Sequence, residues 1–275
     1  MSHFSVLVIG DDVEAILQPY HEFECTGIND QYVQDVDVTE ECKEEGFDYH
    51  DYHCFQDLVV SSEDEVEKVG DDAPHMYGYV VVKDGELIKA VKRTNPNLKW
   101  DSWCIGGRYQ GRLTNKAGEQ VNQTTIGGLD LDAMKAEKAA DANAKYSEFE
   151  KVIAGRAYTS FDKLEGSIDE RCNAYWDQPV INDLKNACLL DMSDDWFEKF
   201  NAAKSREEFV ETHVMVCTLP WAAVTTDRWI ERGSIGWFGM SDTNSESEAA
   251  YGKAVFQLLS ELPPETKLTV VDCRI

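Results

Sequence analysis

The part of the sequence best equipped for chemistry is a basic segment around a pair of glycines. Between residues 83 and 112 seven cations stand against three carboxylates, in a chain whose formal net charge is -26. Exposed glycine backbone N–H groups, arginine and aromatic rings are together the parts of a phosphate or nucleotide site. We therefore predict a ligand-binding site made of Trp103, Gly106, Gly107, Arg108, Tyr109 and Arg112.

The same segment also has a structural interpretation. It matches neither the G-x-x-x-x-G-K-S/T pattern nor the G-x-G-x-x-G pattern of phosphate-binding loops. In this interpretation the glycines mark a bulged strand, and the arginine pairs with the acidic N-terminal third of the chain. The sequence leaves both interpretations open.

A second group combines imidazoles and carboxylates near the N-terminus. His50 and His53 are three residues apart, a spacing that lets two imidazoles share one ion on a helical turn. A divalent metal site is thus conceivable, with candidate ligands His21, Glu22, Glu24, His50 and His53. The alternative is a solvated acidic loop, since no H-E-x-x-H motif, paired C-x-x-C or EF-hand loop is present.

The negative charge is concentrated in the first part of the chain. Residues 1–75 contain 21 acidic residues and two lysines. This balance argues against general nucleic-acid binding by the N-terminal third, because binding to phosphates needs lysine and arginine. It fits a basic protein partner, a divalent metal or a solvated surface.

The cysteines and the N-terminal residues predict a cytoplasmic location without membrane insertion. The eight cysteines form no C-x-x-C pair, which is typical of reduced thiols. The apolar run at residues 3–9 is too short for a signal peptide or a membrane span.

Several elements can be predicted from local patterns. Residues 76–94 predict a hairpin with Asp84-Gly85 at its turn, and residues 130–154 predict a long helix. Further helices are expected at 180–190 and 194–203, from Arg206 and from Ser245, and residues 213–224 have the composition of a strand. Strands are also expected at 3–9 and at the C-terminal end.

This order of elements predicts an α+β fold. We expect a mostly antiparallel sheet of split-βαβ, ferredoxin-like character with a helical insertion, in which the first and last strands are neighbours. The sheet lobe would comprise residues 1–129 and 212–275, and the mainly helical block would comprise residues 130–211.

The sequence also resembles a family of uncharacterised proteins of phage and prophage genomes. The resemblance lies in MSHFSVLVIGDD, Pro19–Gly27, Tyr32–Glu41, Lys89–Asn97, IGGRYQG and the closing LTVVDCRI. It covers most of the chain and is strongest in the first 112 residues and the last 50. It implies a viral or mobile-element context and favours a host-takeover or anti-defence role, and it transfers no catalytic residue.

Two functions follow as expectations. The first is binding of a phosphate-bearing small molecule, such as a nucleotide signal of the bacterial host. The alternative is an acidic inhibitor without enzymatic activity, which docks onto a basic host protein and mimics nucleic acid.

Overall fold

The computed structural model describes residues 2–22, 30–44, 59–66, 77–189, 205–235 and 241–275. Within these ranges the chain has the α+β class predicted from the sequence. The strands are, in chain order, β1 (His3–Ile9), β2 (Gln34–Asp37), β3 (Val59–Val60), β4 (Gly78–Lys83), β5 (Glu86–Thr94), β6 (Ser102–Ile105), β7 (Leu113–Thr114), β8 (Gln120–Val121), β9 (Gln123–Thr125), β10 (Ala222–Val224), β11 (Trp229–Glu231) and β12 (Lys267–Arg274). The α-helices are α1 (Val13–Leu17), α2 (Thr39–Glu44), α3 (Leu131–Ile153), α4 (Ile168–Trp176), α5 (Pro179–Asn186), α6 (Arg206–Cys217) and α7 (Ser245–Glu261).

The main sheet is built on the pairing of β1 with β12. Its strand order is β11-β10-β1-β12-β6, and β9 also pairs with β12. β1 and β12 are antiparallel from His3 opposite Arg274 to Ile9 opposite Leu268. The first and last strands are therefore neighbours, as predicted. Among the described strand pairs only β1–β10 and β3–β4 are parallel, so the sheets are mostly antiparallel.

The split βαβ arrangement expected from the sequence is not confirmed. In a split unit another strand separates the two parallel strands. Here β1 and β10 pair directly, with Val6 beside Ala222 and Val8 beside Val224. The three residues of β10 are all buried, whereas those of β11 are half-buried. The more apolar strand of the hairpin therefore lies next to β1, and its partner forms the edge.

Successive side chains of β1 point to opposite faces of the sheet and pack into two separate hydrophobic cores. Leu7 packs on the face covered by α7, together with Val255. Val6 packs on the opposite face with Leu17 of α1 and with Trp100. Because successive strand residues point to opposite sides, the sheet forms a middle layer with apolar packing on both faces.

A smaller sheet has the order β2-β5-β4-β3. The β4–β5 turn has positive φ at Asp84 (54°) and Gly85 (84°), which confirms the predicted hairpin. Asn95, directly after β5, donates hydrogen bonds to the carbonyl oxygens of Pro19 and His21 at 2.8 and 2.9 Å. These bonds attach the end of the smaller sheet to the segment that follows α1.

The helices α3 to α6 pack around one apolar cluster that includes Tyr175, Leu184 and Phe209. Most of them lie within residues 130–211, and the division of the chain into two lobes stays a prediction. The helix predicted at 194–203 lies outside the described residues. The longest described helix, α3, spans 23 residues. No helix in the described ranges combines the length and the apolar character needed to cross a membrane.

The strand predicted at residues 213–224 is only partly confirmed, because Ala222–Val224 form β10 whereas His213–Cys217 are helical. Ser205 caps α6 by accepting a hydrogen bond from the N–H of Glu208 at 3.2 Å, and the helix continues to Cys217. Its buried side chains are Phe209, His213 and Val216. This spacing of four and three residues matches one face of a helix, so tertiary burial overrides the β-branched composition.

We expect Leu268→Ala to lower the free energy of unfolding by about 2–5 kcal/mol, because it leaves a cavity in the core between β12 and α7. The control Ile88→Ala removes an aliphatic side chain of the same size that is 52% exposed. It should cost less than about 1 kcal/mol. Urea denaturation followed by tryptophan fluorescence measures both, and equal losses would contradict the placement of Leu268.

Candidate functional site

The predicted glycine-arginine segment forms a tight turn directly after β6. Gly106 and Gly107 have φ angles of 73° and 50°, which glycine adopts without a Cβ penalty. A short 3-10 helix, Gly107–Tyr109, follows. The hydroxyl of Tyr109 donates a hydrogen bond to the carbonyl oxygen of His3 at 2.9 Å. The N–H of Gly106 donates to the carbonyl oxygen of Val270 at 2.9 Å, so the turn begins beside the middle of β12, and the Tyr109 side chain reaches from it to the first residue of β1.

Two side chains from other elements hold this turn. The carboxylate of Asp272 accepts the backbone N–H of Arg108 at 2.9 Å, and the side-chain oxygen of Asn122 accepts the N–H of Gly111 at 2.6 Å. A Cβ on Gly107 would lie 2.4 Å from a carboxylate oxygen of Asp272, and one on Gly106 would lie 2.5 Å from the Asn122 amide nitrogen. Glycine is therefore required at both positions.

Asp272 is also paired with His3. The Nδ1 atom of His3 is 2.8 Å from Oδ1 of Asp272, and the two side chains are only 9% and 2% exposed. An ionised carboxylate is only an acceptor, so Nδ1 of His3 is the donor of this hydrogen bond. One carboxylate thus fixes both an imidazole on β1 and the backbone of the turn.

The register of the sheet places further polar side chains on the same face. Residues directly opposite each other in an antiparallel pair point to the same side. One such row contains His3, Arg274 and Ser102, and the next contains Ser5, Asp272 and Cys104. Arg274, Ser102 and Cys104 are exposed. This end of the sheet therefore offers a guanidinium, a hydroxyl and a thiol to solvent beside the buried His3–Asp272 pair.

Three arginines of this surface, Arg108, Arg112 and Arg274, have no carboxylate partner within the described residues. Of the other arginines, three pair with carboxylates, Arg93 with Asp35, Arg156 with Asp183 and Arg206 with Glu150, whereas Arg171, Arg228 and Arg232 have no carboxylate partner in the described residues either. Arg112 lies over the ring of Tyr109, with Cζ 5.9 Å from the ring centroid. Burial, and next the charge of Asp272, raise the pKa of Tyr109, so its hydroxyl stays protonated as a hydrogen-bond donor.

Three backbone N–H groups of the turn already have hydrogen-bond partners. The N–H groups of Gly106 and Tyr109 donate to backbone carbonyl oxygens, and that of Arg108 donates to Asp272. These amides are therefore not available to a phosphate. The expected ion pair between Arg108 and the acidic N-terminal third is not observed either, within the part of the chain that is described.

Trp103 is not part of this surface. It lies opposite Cys273 on β12, and both side chains pack into the core that contains Phe4 and Val6. Trp103 therefore occupies the face opposite to that of Asp272. The turn brings together the other predicted ligand-binding residues, which are Gly106, Gly107, Arg108, Tyr109 and Arg112.

The predicted metal ligands are only partly described. The ring of His21 stacks on Trp100 with centroids 4.4 Å apart, and its Nε2 lies 2.9 Å from the carbonyl oxygen of Asp101. Glu22 is exposed, and its backbone N–H donates to Trp100. In the described ranges no three His, Cys, Asp or Glu side chains are grouped to hold a metal ion. The remaining candidates, Glu24, His50 and His53, lie outside the described residues, so the metal site stays a prediction.

Sequence reasoning missed the His3–Asp272 pair and Arg274. A signal for Asp272 exists in the sequence, because it interrupts an apolar run that forms a strand with six buried residues. A carboxylate in such a strand needs a hydrogen-bonding partner. The partner could not be identified from the sequence, since His3 is 269 positions away.

A concave surface lies on the smaller sheet. It is an open cleft of about 550 Å³ beside α2 and β5. Its lysines are already paired, Lys43 with Glu40 at 2.9 Å and Lys89 with Glu63 at 2.7 Å. The other charged residues that line it are Asp37 and Glu41. The charged side chains of the cleft are therefore two paired lysines and four carboxylates.

Comparison of the chain with protein-family models, with curated protein sequences and with solved structures gave no match. What the site binds is therefore inferred from the charge, burial and contacts of its own residues.

We expect Gly107→Ala to destabilise the protein more than Gly118→Ala. Both residues have positive φ, but a Cβ on Gly118 meets no atom within 4 Å, whereas one on Gly107 meets Asp272. Each variant carries backbone strain of about 1–2 kcal/mol, and overpacking adds about 1–3 kcal/mol at Gly107 alone. The difference in unfolding free energy from urea titrations isolates the contact with Asp272, and no difference would show that the carboxylate does not fill this space.

We expect Asp272→Asn to cost about 1.5–3 kcal/mol of stability, because the amide places a donor against either the Arg108 N–H or the His3 Nδ1–H. Asp11→Asn is the matched control. Asp11 forms a 3.1 Å ion pair with Lys267 in which both side chains are exposed, and its loss should cost less than about 1 kcal/mol. Thermal and urea denaturation measure both variants, and similar stabilities would contradict the central role of Asp272.

Proposed function

We propose that this protein binds a phosphate-bearing small molecule, such as a nucleotide, through Arg108, Arg112 and Arg274. The observation that carries the proposal is the absence of a carboxylate partner for these arginines among the described residues. The chain contains 52 acidic residues and 26 basic ones, so carboxylates are in excess. Arg108 and Arg112 flank Tyr109 of the turn, Arg274 lies on the same face of the sheet as Asp272, and unpaired arginines in such a chain favour an external anionic partner.

The negative net charge does not rule out an anion site. At physiological ionic strength the Debye length is about 8 Å, so exposed carboxylates farther away contribute little. A guanidinium in contact with a phosphate forms two parallel charge-assisted hydrogen bonds, which act at short range. Asp272, which is close to the turn, already accepts hydrogen bonds from His3 and from Arg108.

The rigidity of the turn supports ligand binding. Asp272 and Asn122 fix the backbone around Arg108, and Tyr109 is tied to His3. A surface that is already ordered loses less conformational entropy when the ligand binds. The arginines thus need to order only their own side chains.

The resemblance to phage and prophage proteins supports a biological setting for this binding. It favours a phage-encoded accessory protein in the bacterial cytoplasm that sequesters or senses a nucleotide signal of the host, with an anti-defence role. The alternative, an acidic inhibitor of a basic host protein, depends on the N-terminal third. Of residues 1–75 only 2–22, 30–44 and 59–66 are described, and the arginine surface favours the ligand-binding function.

We expect nucleotides or cyclic oligonucleotides to raise the melting temperature of the wild-type protein, and Arg108→Ala and Arg112→Ala to lose most of the rise. A ligand at 100 times its Kd stabilises by about 2.7 kcal/mol. For a chain of this size that corresponds to roughly 5–10 °C. A thermal-shift screen with nucleotides, oligonucleotide signals and NAD-related metabolites measures the effect.

Arg228→Ala is the matched control. Arg228 is an exposed arginine in the β10–β11 turn, next to Val224 at the end of the sheet opposite to His3. This variant should keep the wild-type response. No response to any phosphate compound, or a response that survives in both Arg108→Ala and Arg112→Ala, would contradict the proposal and favour the acidic-inhibitor function.

A further inference from the structure

A buried carboxylate fixes the orientation of the His3 imidazole. The Nδ1 atom of His3 lies 2.8 Å from Oδ1 of Asp272, and only 2% of the Asp272 side chain is exposed. The other carboxylate oxygen, Oδ2, accepts the backbone N–H of Arg108 at 2.9 Å. Each oxygen of the carboxylate therefore has its own donor, and neither the carboxylate nor the imidazole ring is free to turn.

The second ring nitrogen of His3, Nε2, is accessible to water. The hydrogen bond from Nδ1 is the only one that the His3 side chain forms within the described structure. Nε2 is nevertheless not among the buried side-chain atoms that lack a hydrogen-bond partner in the described residues. It therefore reaches the surface, where a water molecule contacts it without any change in the fold.

Arg274 lies directly opposite His3 in the main sheet. Ser2 and Ile275, one position farther along the two strands, exchange two backbone hydrogen bonds of 2.9 and 3.1 Å. His3 and Arg274 are therefore a non-hydrogen-bonded pair, in which opposite side chains are closer and the Cα atoms are about 4.5 Å apart. Because Arg274 is exposed, its guanidinium is available to a ligand beside the imidazole.

We propose that His3 is the general base of a phosphate-ester hydrolase, in which Arg274 holds the phosphate and Asp272 orients the imidazole. This inference rests on the proposed function, because it needs a phosphate group bound at this surface. In the neutral ring with Nδ1 as the donor to Asp272, Nε2 carries the lone pair that accepts a proton. A base that is oriented by a carboxylate and contacts water has the arrangement that activates water as a nucleophile.

The reaction consumes one water molecule and needs no oxidant or reductant. The water oxygen forms a bond to phosphorus while one of its protons moves to Nε2 of His3. The bond between phosphorus and the ester oxygen breaks, and its electron pair stays on that oxygen, which receives the proton from the imidazolium. The products are an alcohol and the hydrolysed phosphate, and His3 returns to its neutral form. The guanidinium of Arg274 stabilises the charge on the non-bridging oxygens.

Water is a better nucleophile for this base than the hydroxyl or the thiol of β6. Ser102 shares a row with Arg274 and His3, but β12 separates β6 from β1, so these two strands are about 9–10 Å apart. The hydroxyl of Ser102 also donates to Asp101 at 2.9 Å. Cys104 lies on the same strand as Ser102 and in the neighbouring row. The activity is therefore expected to proceed without a covalent intermediate on either side chain.

The test uses His3→Asn, because the asparagine amide nitrogen takes the place of Nδ1 and still donates to Asp272, whereas the base at Nε2 is lost. The probes are para-nitrophenyl phosphate, a monoester, and bis-para-nitrophenyl phosphate, a diester. We expect the wild-type protein to hydrolyse at least one of them, and His3→Asn to be slower by about 100-fold or more. The melting temperature of His3→Asn should stay close to that of the wild type.

Arg274→Ala and Arg228→Ala form a matched pair for the role of the guanidinium. Both arginines are exposed, but Arg228 lies in the β10–β11 turn at the other end of the sheet. Arg274→Ala should lower kcat/KM by about tenfold or more, whereas Arg228→Ala should keep the wild-type value. In water labelled with a heavy oxygen isotope the label should appear in the phosphate, and its appearance in the alcohol would overturn the mechanism.

The outcomes separate this inference from the proposed function. If phosphate compounds raise the melting temperature and Arg108→Ala loses the rise, but neither ester is hydrolysed, the proposed function holds and the role of His3 is overturned. Hydrolysis by His3→Asn at the wild-type rate overturns that role as well. If the wild type hydrolyses an ester, His3→Asn does not, and Arg108→Ala and Arg112→Ala change neither binding nor rate, catalysis by His3 holds and the proposed binding surface fails.

Discussion

The buried carboxylate of Asp272 connects the parts of the structure on which the site depends. A charged group in the middle of an apolar sheet has a large desolvation cost unless hydrogen bonds compensate for it. Here the compensation comes from the imidazole of His3 on β1 and from the backbone N–H of Arg108 on the turn. The same interaction therefore joins the two central strands and fixes the glycine turn that presents the arginines.

The alternation of side chains along each strand determines which residues lie on the same face of the main sheet. Asp272, Ser5 and Cys104 occupy one row on one face, whereas Trp103 and Cys273 face the other core. A shift of one residue in register would exchange these sets. The antiparallel pairing of β1 with β12 from His3 to Ile9, with apolar packing on both faces, specifies the register strongly. The polar rows at the end of the sheet are a consequence of that register.

The arginines of the described residues differ in the kind of partner they have. Arg93, Arg156 and Arg206 form ion pairs, which use carboxylates of this acidic chain. Arg232 instead binds the carbonyl oxygens at the C-terminal end of α6, a place where the helix dipole favours a cation. Arg108 and Arg112 have neither kind of partner within the described residues.

The sequence by itself determined the local elements and the presence of the basic glycine segment. The Asp84-Gly85 hairpin, the long helix α3 and the β1 and β12 strands follow from turn chemistry and apolar periodicity, which act over a few residues. Only the tertiary structure decided the direct pairing of β1 with β10, the helical state of His213–Cys217 and the burial of Arg232. It also decided that Asp272 forms a hydrogen bond with His3 and accepts another from the backbone N–H of Arg108. These features depend on contacts between residues far apart in the chain, and local patterns hold no information about which distant partner satisfies a buried charge.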